Sequence, residues 1–104
     1  MNDIIESVLD ELKTMAVTMA KDEAKAFSAD AKDFLERAKD DVAKWTKQLK
    51  NGEITKEDFR DLLEMKKSVA EMQALKQKGI AKIRLEQLQN QMLDAVTSAV
   101  LKAI

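Results

Sequence analysis

The sequence predicts an all-α chain, drawn as an antiparallel hairpin of two long helices. Three observations lead there. Ala, Leu, Lys, Glu, Gln and Met dominate the 104 residues, while Pro is absent and Gly occurs twice, so little interrupts a helix. Apolar residues recur every three or four positions along most of the chain. The one strong turn signal is Asn51-Gly52, where glycine takes the left-handed backbone that ends a helix.

The first arm is read as a single helix over residues 3–50. Asn2 or Asp3 caps it, and Glu6, Asp10 and Glu11 put negative charge in its opening turns, where the helix dipole favours it. Ile5, Val8, Leu12, Met15 and Met19 mark one apolar stripe, which Ile4, Leu9, Ala16, Val17 and Ala20 widen. Farther on the spacing lengthens to eleven, in Ala16, Phe27, Ala38 and Leu49, a period that gives nearly straight or slightly right-handed packing. Ser28 is the point at which this arm would break, since it can cap a new helix.

Residues 51–55 form the turn. Thr55 accepts a hydrogen bond from the next helix start, and Asp58 three residues on completes a near capping box. The second arm covers residues 56–103, with the eleven-residue spacing in Phe59, Ala70, Ala81 and Met92 and in Leu63, Ala74, Leu85 and Val96. Gly79, inside it, marks the second place for a break. A bend at 52–54 sets Trp45 against Leu62, Val42 against Met65, Phe27 against Ile80 and Leu12 near Val96. Each arm would reach roughly 70 Å at ~1.5 Å per residue.

Two such helices cover one seam and leave the broad faces at the termini-bearing end bare. The expected interface is therefore Ile4, Ile5, Val8, Leu9, Leu12, Met15, Met19, Leu88, Met92, Leu93, Val96, Val100, Leu101 and Ile104. Joined across a two-fold axis, these would make a four-helix bundle or coiled-coil homo-oligomer, a dimer in the first instance.

Chemistry finds little foothold. No His, Cys or Tyr is present, which removes the usual general base near neutral pH and any thiolate nucleophile. No metal-ligand spacing and no glycine-rich phosphate loop occurs, and an EF-hand fails because Lys47 and Leu49 would stand at its first and third liganding positions. The reading is non-enzymatic, with no catalytic, cofactor or metal residues. The aromatic group of Trp45 and Phe59 with Leu62 reads as a plug beside the turn. Eighteen basic against nineteen acidic residues give no whole-chain case for nucleic acid or a membrane. With no basic, apolar leader and no run of about 18 apolar residues, the expected setting is cytoplasmic.

A second reading concerns Lys66, Lys67, Lys76, Lys78, Lys82 and Arg84, opposed nearby only by Glu71. With the amphipathic C-terminal helix they would form a peripheral contact for anionic lipid, and more weakly for nucleic acid. The duller reading is a solvated face neutralised by Asp22, Asp30, Asp33 and Glu36.

The segment Trp45 to Phe59, with the spacing W-x3-L-x2-G-x-I-T-x-E-x-F, and the stretch Ala74 to Arg84 resemble small uncharacterised bacterial α-helical proteins. The resemblance covers about a third of the chain and implies a bacterial origin without an activity.

Overall fold

The computed structural model describes residues 2–17, 19–67 and 70–104, and no strand occurs among them. Five helices follow in order: α1 (Asn2–Ala16), α2 (Lys21–Lys50), α3 (Lys56–Met65), α4 (Gln73–Gln77) and α5 (Lys82–Ala103). α1 packs on α5 and α2, α3 packs on α5 and α2, and α4 lies on α2.

Neither long arm is continuous. The expected helix 3–50 is divided before Lys21, where Ala20 takes an extended backbone with φ −61° and ψ 145°. Ser28 lies inside α2. The expected helix 56–103 is divided twice. Met72 adopts a left-handed backbone with φ 57° ahead of α4, and Gly79 does so with φ 73° ahead of α5. Where arms of roughly 70 Å were expected, the longest dimension is 41 Å, about the length of α2 alone.

The reason lies in the apolar faces themselves. Straight arms would leave the broad stripes of residues 5–19 and 80–104 in water. Bent arms bring Val8 and Leu12 of α1, and Leu88, Met92, Leu93 and Val96 of α5, into one core with Phe27, Phe34, Phe59 and Leu63. Each of these side chains is fully buried. Burial of this kind is worth ~1.5–3 kcal/mol per large side chain, more than a helical turn lost at each break.

The turn at 51–55 is built from local contacts. Gly52 has φ 76°, and the N–H of Glu53 donates to the Gln48 carbonyl at 2.9 Å. Thr55 and Asp58 form a full capping box. The Asp58 N–H donates to Thr55 Oγ1 at 3.1 Å, and the Thr55 N–H donates to Asp58 Oδ2 at 3.0 Å. Beyond the turn, the partners on α2 step back as the chain advances: Lys66 meets Asp41 at 2.6 Å, Glu71 meets Arg37 at 3.0 Å, and Ala74 meets Asp30.

The eleven-residue spacing has structural meaning only where the helix is unbroken. In α2 it joins Phe27 to Ala38 and Ala31 to Val42, all buried. In the second arm it fails at Ala81, which is exposed, because each break resets the rotational phase of the helix that follows.

Asp30 is the one buried charged residue among those described. Its Oδ1 accepts from the Ala74 N–H and its Oδ2 from the Leu75 N–H, both at 2.9 Å. A carboxylate from α2 thus caps the five-residue helix α4, too short to persist without tertiary support.

Candidate functional site

The faces expected to meet another molecule are largely consumed within the chain. Val8, Leu12, Leu88, Met92, Leu93, Val96 and Val100 are fully buried, and Leu9, Met15 and Met19 pack against the same core. Leu101 and Ile104 alone stay exposed, at 40% and 47%. The side chains of Ile4 and Ile5 lie outside the described part of the structure. The C-terminal helix is seated in the bundle and has no broad apolar face left for a bilayer.

The basic stretch 66–84 is also divided. Lys66 pairs with Asp41, Lys67 lies 3.6 Å from Glu64, and Arg84 Nη2 donates to Glu23 Oε1 at 3.1 Å. Lys76, Lys78 and Lys82 are exposed and make no ion pair among the described residues, although the Lys76 charge acts on Glu71. Two of the four acids expected to neutralise the stretch act elsewhere, and Asp41 and Glu23 of the same helix take that part. Asp30 caps α4, and Asp33 pairs with Arg37 on its own helix. Of the plug residues, Phe59 is fully buried and Trp45 packs on the core.

Two surface clefts remain to be weighed. One lies between α3 and α5, about 590 Å³, lined by Lys56, Glu57, Arg60, Asp61, Asp94, Thr97, Ser98, Leu101 and Lys102. Its charges cancel, three cations against three acids, and Arg60 is held across it by Glu64 and Asp94 at 2.8 and 2.9 Å. Burial pulls the Arg60 guanidinium down, but the hydrogen bonds and charges of both acids outweigh it and raise the pKa. Arg60 and Asp94 join the two helices, while Lys56, Glu57 and Asp61 beside them make no ion pair among the described residues.

The other cleft is the elbow between α1 and α2, about 530 Å³, lined by Lys13, Val17, Met19, Lys21, Ala24, Lys25 and Ser28. No acid lines it. Lys13, Lys21 and Lys25 are exposed and make no ion pair among the described residues. Between them Val17 is 82% exposed.

One ion pair links the elbow's helix to the divided basic stretch. The Arg84–Glu23 bridge sets the first turn of α5 beside the first turn of α2, so Lys82 and Ile83 come to the end that carries Lys21. Ile83 is 74% exposed. A small cavity of about 180 Å³ then joins Lys82 to Lys76. The residues of the elbow and of the stretch 76–84 supply seven cations, at 13, 21, 25, 76, 78, 82 and 84, against the acids Asp22, Glu23, Glu86 and Glu71, the last of which feels the Lys76 charge, while the chain as a whole is −1. The first turn of α2 carries Asp22 and Glu23, which offset its dipole, whereas the first turn of α5 carries no acid.

Lys13, Lys21 and Lys25 were not expected as site residues. In sequence they stand among Asp10, Asp22 and Glu23, and only the elbow gathers them without those acids. Among the described residues no cluster of three potential ligands could hold a metal ion, and no helix is long and apolar enough to cross a membrane. No known protein family, curated protein or solved structure matches the chain.

Proposed function

We propose that the protein is a non-enzymatic interaction module, a helical hairpin folded double into a bundle within one chain, which presents its basic end to a negatively charged partner. The observation that carries this reading is the elbow, where three lysines that make no ion pair among the described residues stand around an exposed valine. The absence of His, Cys and Tyr from the sequence supports a role in binding over one in catalysis.

A soluble polyanion tests the reading. In an NMR titration with polyglutamate, amide shifts are expected around Lys13, Lys21 and Lys25, to fade with added salt, and to vanish in Lys21→Glu/Lys25→Glu. Shifts confined to the α3–α5 cleft, or none at all, would overturn it.

Of the described residues of the expected interface, self-association keeps the exposed Leu101 and Ile104 at the end of α5. Sedimentation equilibrium is expected to give a concentration-independent monomer. A dimer that Leu101→Asp dissociates would restore self-association as the function.

A further inference from the structure

We propose that the basic end docks on the surface of an anionic lipid bilayer, without a segment that crosses it. This rests on the interaction-module reading and names its partner.

Three observations favour a bilayer over an acidic protein. First, the unpaired cations of this end come from α1, α2, the end of α4 and the start of α5. They belong to several helices and not to one helical face, which suits a broad charged surface better than a single helix laid in a groove. Second, the apolar residues of this end project. Val17 and Ile83 are 82% and 74% exposed, beside lysines whose flexible stems let the ammonium reach headgroups while the apolar tips enter the acyl boundary.

Third, the unpaired cations are all lysine. Arg37, Arg60 and Arg84 are each committed to carboxylates. No guanidinium fork is left for bidentate recognition of particular acidic side chains. Lysines acting as point charges suit a diffuse sheet of negative charge, and each adds attraction that falls off within a Debye length.

Co-sedimentation with phosphatidylcholine vesicles, with and without phosphatidylglycerol, tests the proposal on the whole chain. Binding is expected to the anionic vesicles alone and to weaken with salt. Lys21→Glu/Lys25→Glu should lower partitioning by about an order of magnitude. Lys47→Glu/Lys50→Glu, at the far end of α2, should leave it nearly unchanged. Val17→Ser/Ile83→Ser should lower it several-fold while polyglutamate binding is kept, with circular dichroism confirming the fold.

Polyglutamate binding without vesicle binding would overturn the bilayer and leave an acidic protein as the partner. Binding of neither would remove the interaction-module reading as well. An equal loss in Lys47→Glu/Lys50→Glu would show that the basic end is not the docking surface, and no loss in Val17→Ser/Ile83→Ser would overturn the apolar half of the contact.

Discussion

The chain bends at 51–55 and again around α4, and the two bends are held by different means. At the first, the hydrogen bonds are all local. Gly52 supplies the positive φ, backbone bonds return to Lys47, Gln48 and Leu49, and Thr55 and Asp58 cap each other. At the second, the partners come from far away. Asp30 reaches the N–H groups of Ala74 and Leu75 across 44 and 45 residues, and Gln89 Nε2 donates to the Ala70 carbonyl across 19. Met72 holds a left-handed backbone there with a side chain 2% exposed. That strain, ordinarily ~1–2 kcal/mol outside glycine, is offset by burial. One bend is encoded where it occurs, and the other exists only once the bundle has formed.

The contrast is broken most directly at Asp30. Asp30→Ala leaves two buried or part-buried N–H donors unpaired and should cost about 3 kcal/mol in urea unfolding. Asp30→Asn, with one acceptor oxygen, should recover part of that. A cost under about 0.5 kcal/mol would mean that α4 does not depend on α2 for its start, and the two bends would no longer differ in kind.

Gly52 and Gly79 sharpen the comparison because their backbones are nearly alike, φ 76° and 73°, and a Cβ at either meets nothing within 4 Å. Alanine at each should therefore cost about 1 kcal/mol from backbone strain alone. The consequences should part in hydrogen exchange. Gly79→Ala is expected to lower protection in α4 while α2 keeps its own, whereas Gly52→Ala should destabilise α2 and α3 together. Thr55→Ala, which removes the acceptor for the Asp58 N–H, should cost about 1 kcal/mol, and Thr55→Ser should restore most of it.

The same division explains what was legible in the sequence. Helical class, the turn and its capping box all rest on neighbours within a few residues. So do the apolar stripes, which mark Val8, Leu12, Phe27 and Leu88 as side chains to be covered but do not show that Val8, Leu12 and Leu88 are covered within the chain. The elbow before Lys21 carries neither Gly nor Pro. Nothing local marks Ala20 as extended or Met72 as left-handed. Asp30 looks like one more acid of a solvated face until α4 is placed over it. The basic end suffers most, because its lysines are brought together by two breaks and one long-range bridge, Arg84 to Glu23. Charge counted along the chain sees Lys66 to Arg84 as one stretch, although Lys66 and Lys67 are spent on Asp41 and Glu64.

The smallest effect should come from acid. Hydrogen bonds from Gln73 and Arg37, with the nearby arginine charge, hold the Glu71 carboxyl below its ordinary value of 4.5. The Arg60 hydrogen bond does the same for Glu64. A depressed carboxylate contributes stability that is fully present above the ordinary value and is lost as pH falls through the folded one. Glu71 bridges to Arg37 of α2 at 3.0 Å, across the second bend, while Glu64 meets Arg60 within α3 at 2.8 Å. Both pairs are solvent-exposed, so each effect is small and screened by salt. In urea midpoints taken from neutral pH down to about 4, Glu71→Gln should start below the wild type, and the gap should close as acid neutralises the wild-type carboxylate. The closing should be accompanied by faster hydrogen exchange in α4, whereas Glu64→Gln should leave α4 protection unchanged. A gap independent of pH would mean that the Glu71 charge adds nothing across the bend, leaving Asp30 and the buried side chains to hold it.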